Sequence, residues 1–269
     1  MGVSRLCRAA SQVASSLARA IVAGQVFRSA AHATARRIAV VSGACGIVLA
    51  SAAHAQASDK APLEPGSMRA RVAACTACHG EQGRAGPDGY YPRLAGKPRD
   101  YLYHQLQNFR DGRRQYAPMA HLLRNLPDDY LRDIAAYFAD QHVAYPAPVP
   151  ADVGPAMLER GRVLTTAGDK GRGVPACTAC HGASLGGAAP AIPGLLGLPR
   201  DYLLAQIGSW RSGTRRAAAP DCMAHVARQM NPEDIAAVAA WLSSQPVPAT
   251  YQPEPAGTIT LPVSCGSQE

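Results

Sequence analysis

The chain has 269 residues, with 27 Lys and Arg against 19 Asp and Glu, a formal charge of +8. The excess sits in residues 1–55, which hold Arg5, Arg8, Arg19, Arg28, Arg36 and Arg37 and no acid; the rest carries 21 basic and 19 acidic side chains. A body so nearly balanced has no basic footprint for nucleic acid, and that class of partner is excluded.

Residues 1–55 read as an export signal with an N-terminal extension. Arg36-Arg37 form a positive start, Ile38 to Ala52 an apolar run, and Ala53-His54-Ala55 a small-x-small cleavage pattern, so Gln56 is the expected mature N-terminus. The run is too short for a good spanning helix. Ser42 stands where a lipid-attachment motif around Cys45 would want an aliphatic residue, which argues against a lipid anchor. Residues 1–35 are long for a positive region and fit an over-early start better than a transit-like segment. Export places the mature chain in an oxidising compartment, the periplasm.

Residues 56–146 form the first expected domain. Cys75-Thr76-Ala77-Cys78-His79 has the spacing of covalent c-type haem attachment. Two thiols one helical turn apart add to the two haem vinyl groups, and the next residue brings an imidazole to the iron. A redox-active Cys pair or half a zinc site would leave the following His unexplained. Leu102, Leu106 and Phe109 fall at i, i+4, i+7, and Gly112 marks the end of that helix. Met119 lies 40 residues after His79, ahead of a last helix that opens at Leu126-Pro127-Asp128-Asp129 without a polar cap.

A Pro-rich linker (Pro146, Pro148, Pro150) leads into a second domain, residues 147–246, in which the first is written again. Cys177-Thr178-Ala179-Cys180-His181 repeats the pentapeptide 102 residues on. Tyr91-Pro92-Arg93-Leu94-Ala95-Gly96-Lys97-Pro98-Arg99-Asp100-Tyr101-Leu102 is answered by Ile192-Pro193-Gly194-Leu195-Leu196-Gly197-Leu198-Pro199-Arg200-Asp201-Tyr202-Leu203. Leu203, Ile207 and Trp210 repeat the helical stripe and Gly213 the stop. Met223 lies 42 residues after His181, and Asn231-Pro232-Glu233-Asp234 supplies a cap, a first-turn Pro and early acids for the last helix. No segment alternates as a strand does, so the expected class is all-α. Residues 247–269 form a Pro-rich tail.

The aligned Met119 and Met223 are expected as the sixth ligands, a thioether being soft, neutral and suited to both iron oxidation states. His121 and His225 also repeat and would give a bis-His centre instead; a thiolate from Cys222 would serve one haem only, since Pro118 stands at its counterpart. After cleavage, Cys222 and Cys265 alone remain outside the motifs, and an exported pair invites a disulfide, with two free thiols the alternative. Each proximal His needs an acceptor for its Nδ1–H, and the carbonyls of Pro92 and Pro193 are well placed. Phe109 and Trp210 are expected to pack on the macrocycles. Tyr101, Tyr202, Arg113 and Arg215 are candidates for propionate contacts. Two haems add four propionates, making the loaded protein nearly neutral.

Through both CTACHG stretches, PRLAGKPRDYL with its echo PGLLGLPRDYL, the FRDGRR and WRSGTRR helix ends and the two Met, the chain resembles the class I cytochromes c, specifically the dihaem cytochrome c4 group, over most of residues 67–246. The resemblance implies two tandem cytochrome c folds, each wrapped around a covalent haem and packed about a pseudo-two-fold with both haems near the interface. Lys97 and Leu198, where that group has Gln, and the Cys222/Cys265 pair depart from it. It further implies single-electron transfer from a quinol-oxidising complex towards a terminal oxidase, with redox proteins as partners and a position at the membrane periphery. The competing readings are a dihaem enzyme (a peroxidase or thiosulfate dehydrogenase-like protein), which needs an open or thiolate-ligated iron, and a cytochrome subunit of a periplasmic dehydrogenase.

Overall fold

The computed structural model describes residues 63–86 and 88–268. The export signal, its cleavage after Ala55 and the N-terminal extension lie outside these residues. The first half contributes α1 (Met68–Arg71), α2 (Ala73–His79), α3 (Arg99–Arg110), α4 (Ala117–Leu123) and α5 (Asp128–Ala139); the second, α6 (Pro155–Thr166), α7 (Thr178–His181), α8 (Arg200–Ser212), α9 (Cys222–Gln229) and α10 (Pro232–Ser244). Between α7 and α8 a short antiparallel ladder pairs β1 (Gly187–Ala188) with β2 (Ile192–Pro193), Gly187 opposite Pro193 and Ala188 opposite Ile192. Two-residue strands are too short to show as alternation, which is why the sequence reading had none.

The helix ends follow their residues. α8 stops at Gly213, at φ 77°, the left-handed region that glycine enters without a Cβ penalty. α10 starts on Asn231, whose side chain accepts from Asp234 N at 2.8 Å, while α5 opens on Pro127 with no side-chain cap. α3 packs on α5, and α8 and α6 on α10. Phe109, Leu123 and Leu131 form one core of the first half, and Val72, Leu102, Ile134, Ala135 and Phe138 a second. The second half has a single larger core through Leu164, Leu203, Ile235, Val238 and Leu242. Where α6 crosses α10, a Cβ on Gly161 would stand 2.1 Å from the Ala237 carbonyl oxygen, so this backbone contact requires glycine.

A charge cluster adds to that crossing. Asp234, 3% exposed, accepts from Arg160 Nε at 2.9 Å and lies 2.6 Å from Arg172 Nη1; Asp169 Oδ2 meets both arginines at 3.0 and 2.9 Å. The cluster ties α6 and the 169–172 turn to α10. Residue 130, which aligns with Asp234, is Tyr.

Linker and tail are both fastened. Arg93 is buried and donates from Nε to Ala95 O at 3.1 Å, from Nη1 to Ala144 O at 3.2 Å and from Nη2 to Val143 O, with its guanidinium 3.9 Å over the Tyr145 ring. The tail, expected as a Pro-rich extension, straps the second half. Tyr251 Oη donates to Leu185 O at 2.5 Å and accepts from Leu196 N at 2.8 Å. The Glu254 carboxylate accepts from Ala183 N at 2.8 Å, and its backbone exchanges bonds with Gly187 O and Ala189 N. A Cys222–Cys265 disulfide, Cα atoms 4.9 Å apart, closes the strap.

Candidate haem sites

Each Cys-x-x-Cys-His motif ends a short helix and is followed by a glycine at positive φ, Gly80 at 74° and Gly182 at 82°. A Cβ there would lie 2.7 Å from Ala85 O or from Glu254 Oε1, so the chain turns sharply away after the histidine only because no side chain intervenes. His79 and His181 are both buried. Their Nδ1 atoms lie 2.8 Å from Pro92 O and 2.7 Å from Pro193 O, the two carbonyls expected from the repeat. A carbonyl can only accept, so each ring donates from Nδ1 and keeps its lone pair on Nε2. Burial pushes both imidazoles below their ordinary value, the carbonyl contact opposing; the nearby cation that adds to the lowering is Arg114 at His79 and Lys97 at His181. Burial raises the Cys75 and Cys180 thiols, and Cys177 to about 11.

Two cavities receive these groups. The first, about 1100 Å³, is lined by Cys75, Cys78, His79, Phe109 and Met119 and is continuous with the groove under residues 146–152. The second, about 110 Å³, is lined by Cys177, Cys180, His181, Trp210 and Met223. Each methionine therefore shares a cavity with the histidine of its own half. His121 and His225 are exposed and line neither cavity. Cys222, held in the disulfide, carries no thiolate.

The cavities meet at a mirrored interface. Arg114 donates from Nη1 to Gln105 Oε1 at 3.0 Å and from Nη2 to Gln206 Oε1 at 2.6 Å and Tyr202 Oη at 3.4 Å. Arg215 donates from Nη1 to Gln206 Oε1 at 2.9 Å and from Nη2 to Gln105 Oε1 at 3.0 Å and Tyr101 Oη at 3.3 Å. Their backbones form an antiparallel bridge, flanked by Gln115 N to Thr214 O at 2.9 Å and Arg216 N to Arg113 O at 2.7 Å. The guanidiniums also stack, Arg114 4.4 Å over Phe109 and Arg215 3.7 Å over Trp210. Arg113, a candidate for a propionate contact, turns to Asn108 and Asp111, and Arg114 is the residue that meets Arg215 at the interface. Gln105 and Gln206 were not singled out in the sequence, although identity at aligned positions was a signal for them.

These groups fit a haem with anionic edges. Both buried arginines have only neutral oxygens as partners among the described residues, and Trp210 Nε1 is buried in the second cavity with no acceptor. Burial favours a raised Tyr101 phenol, but the charges of Arg215, Arg114 and Lys97 outweigh it and lower it. A surplus of donors and positive charge, facing apolar walls with thiols, an imidazole and a thioether, matches a flat apolar macrocycle carrying two carboxylates.

The comparisons agree with this chemistry. The family model described as cytochrome c matches residues 159–246, and that of cytochrome c oxidase, cbb3-type, subunit III, matches residues 65–138. A thiosulfate dehydrogenase electron acceptor from Thiomonas intermedia is 37% identical over 191 residues, 71% of this chain and 87% of that protein. Cytochrome c4 from Pseudomonas aeruginosa is 37% identical over 176 residues, 65% and 85% of the two chains. Among solved structures, reduced cytochrome c4 from Pseudomonas stutzeri superimposes with a TM-score of 0.57 at 32% identity, covering 65% of this chain and 95% of that one. Thiosulfate dehydrogenase (TsdBA) from Marichromatium purpuratum gives 0.58 at 33% identity, over 64% of this chain and 36% of its own. With its duplicated Cys-x-x-Cys-His motif in tandem cytochrome c folds, the chain belongs to the dihaem cytochrome c4 family and carries two covalently bound c-type haems.

Proposed function

We propose that the chain carries single electrons in the periplasm between respiratory partners, towards a terminal oxidase, with both irons closed to exogenous ligands. Cys75 and Cys78 hold the first haem and Cys177 and Cys180 the second; His79 and Met119, and His181 and Met223, are the axial pairs. Haem iron supplies one-electron exchange between its ferrous and ferric forms. The protein's part is positional: the Pro92 and Pro193 carbonyls fix each imidazole, Phe109 and Trp210 exclude water from the cavities, and Arg114 and Arg215 offset propionate charge. The observation that carries the reading is the pairing, in both halves, of an anchored histidine with a methionine in one cavity. It disfavours a dihaem enzyme, whose one candidate thiolate, Cys222, is in a disulfide. Visible spectra of the oxidised and reduced protein test it. Low-spin haems with no carbon monoxide binding are expected, and carbon monoxide binding to the reduced wild type overturns it.

A second reading of the donor is favoured by the relatives named as thiosulfate dehydrogenase electron acceptors, 37% and 32% identical. In it the protein accepts electrons from a periplasmic dehydrogenase oxidising thiosulfate. Stopped-flow reduction by such a dehydrogenase with thiosulfate, compared with reduction by a quinol-oxidising complex, separates the two: the physiological donor is the one that reduces the protein rapidly at low concentration.

A further inference from the structure

The two modules carry an arginine at the same aligned place, and the fold puts the two copies in different surroundings. Arg99 opens α3 and Arg200 opens α8, each directly after the aligned proline. Arg99 is exposed and lines neither cavity. Arg200 is half-buried and belongs by sequence to the second module, yet it lines the first cavity and not the second. The loop of residues 84–91 seats it there: a Cβ on Gly89 would stand 2.9 Å from Pro199 Cγ, so the first module's backbone closes directly on the start of α8. At the corresponding start of α3, Asp100 N donates to Pro190 O at 3.2 Å and Arg99 is left in solvent.

Arg200 Nε is closed off from water without an acceptor, and among the described residues the side chain makes no hydrogen bond and no ion pair. The carboxylates on the same cavity wall, Asp88, Asp152 and Asp201, lie beyond ion-pair distance. A cation in the first turn of a helix also opposes the helix dipole. Burial, the missing acceptor and the dipole all disfavour this arginine unless an anion enters the cavity beside it. The other cations of that cavity are placed differently. Arg84 turns to Glu81 O and Gln82, Arg93 holds three backbone carbonyls, Arg114 and Arg215 hold the interface glutamines, and Lys97 lines both cavities.

We propose that Arg200 is a haem-binding residue supplied across the module boundary: its guanidinium takes a propionate carboxylate of the first haem. The proposal deepens the carrier reading and rests on it. Tyr202, two residues on in α8, accepts from Arg114 Nη2 at 3.4 Å, so Arg200 extends the donor-rich wall of the interface into the first cavity. A guanidinium suits this role because its fork of N–H donors matches a carboxylate. A fixed cation beside a propionate stabilises the haem state with the extra electron, the more so where water is excluded. The second haem receives no such residue in return, because Arg99 faces solvent.

The experiment is a spectroelectrochemical titration of the intact holoprotein and of Arg200→Gln, Arg200→Lys and Arg99→Gln. Met119→His, which substitutes a ligand in the first module alone, identifies which titration step belongs to the first haem. Arg200→Gln is expected to reduce the first haem's reduction equilibrium constant about tenfold, 59 mV for one electron. The second haem should shift by less than half as much. The difference should persist in about 1 M salt, which screens exposed charges but not a buried pair. Arg200→Lys, which keeps the charge, should lie nearer to wild type than to Arg200→Gln, and Arg99→Gln should move neither haem. No shift at the first haem, equal shifts at both, a shift abolished by salt, Arg200→Lys behaving as Arg200→Gln, or Arg99→Gln shifting the first haem as Arg200→Gln does overturns the proposal. It is equally overturned if Arg200→Gln keeps the wild-type potentials and only its reaction with a redox partner slows, since the guanidinium then serves a carboxylate of that partner. Should Arg200→Gln fail to incorporate the first haem, Arg200→Met, which keeps most of the apolar stem, is judged by the same criterion. Failure of the carrier reading shows differently: the wild type itself binds carbon monoxide, or Met119→His moves neither titration step.

Discussion

Arg114 and Arg215 each reach across to the other half's glutamine, Arg114 Nη2 to Gln206 Oε1 at 2.6 Å and Arg215 Nη2 to Gln105 Oε1 at 3.0 Å. Each also holds its own half's glutamine, so two neutral amides bridge two buried cations. Burial and the neighbouring Arg114 both lower Arg215. The pair is held by six charge-assisted contacts to oxygens and by the aromatic faces beneath, with the propionates as the natural balance of charge.

From this arrangement, Arg114→Leu is expected to destabilise the holoprotein by about 2–4 kcal/mol, because truncation also strips partners from Gln105, Gln206 and Tyr202. It should split one cooperative denaturation into two transitions, followed at each haem's Soret band. A more stable variant would show that repulsion between the two cations outweighs their hydrogen bonds.

Gly161→Ala tests the helix crossing of the second half. The added methyl would meet Ala237 O at 2.1 Å and Trp241 Cβ at 2.8 Å, both on α10, so α6 must move outwards. Overpacking of this kind costs about 3 kcal/mol. A lowered denaturation midpoint for the second haem with the first haem's spectrum unchanged is expected; unchanged stability would mean that α6 shifts freely on α10.

What the sequence made legible was local. The haem motifs, the i, i+4, i+7 stripes on α3 and α8, the Asn231 cap and the carbonyls of Pro92 and Pro193 depend on residues close in the chain or repeated at fixed spacing, and spacing survives without coordinates. The interface place of Arg114 was not legible because FRDGRR and WRSGTRR differ in length by one residue. Counted back from the end, Arg113 matches Arg215; counted from the glycines, Arg114 does, and the Arg114–Arg215 bridge decides. Gln105 and Gln206 gave no signal beyond their identity at aligned positions, because what they do depends on an arginine brought from the other half. The tail was opaque for a related reason: Tyr251 and Glu254 are fixed by carbonyls and amides of residues 183–196, which leave no compositional trace.

Acid should weaken the second half through Asp234. Burial alone would raise this carboxyl, but Arg172 and Arg160 outweigh it and hold it below the ordinary aspartate value. A carboxylate whose folded pKa is depressed contributes stability above its unfolded value, about 3.9, and that contribution is lost as pH falls through the folded value. Asp234→Asn should cost about 1–2 kcal/mol at neutral pH, allowing for the partial solvent exposure of both arginines. Denaturation of the wild type and the variant, compared at pH 7 and near pH 3, should show the difference shrinking in acid; a difference that does not shrink would place the cost in packing.

Cys265→Ser releases the strap at the residue before Met223. The cross-link closes a loop across 43 residues of sequence separation, and its removal should cost about 3 kcal/mol. Tyr251 and Glu254 retain their own bonds to the second half, so loosening should concentrate at the start of α9, where Met223 follows Cys222. The expected outcome is a weaker far-red band of the Met–iron bond in the oxidised protein, fractional carbon monoxide binding at the second haem alone, and an unaltered first haem. Met223 ligation that persists unchanged, with only the stability lowered, would make the disulfide a clamp on the tail and nothing more. Carbon monoxide binding at both haems would instead mean that the strap supports the whole interface, including the Arg114–Arg215 bridge.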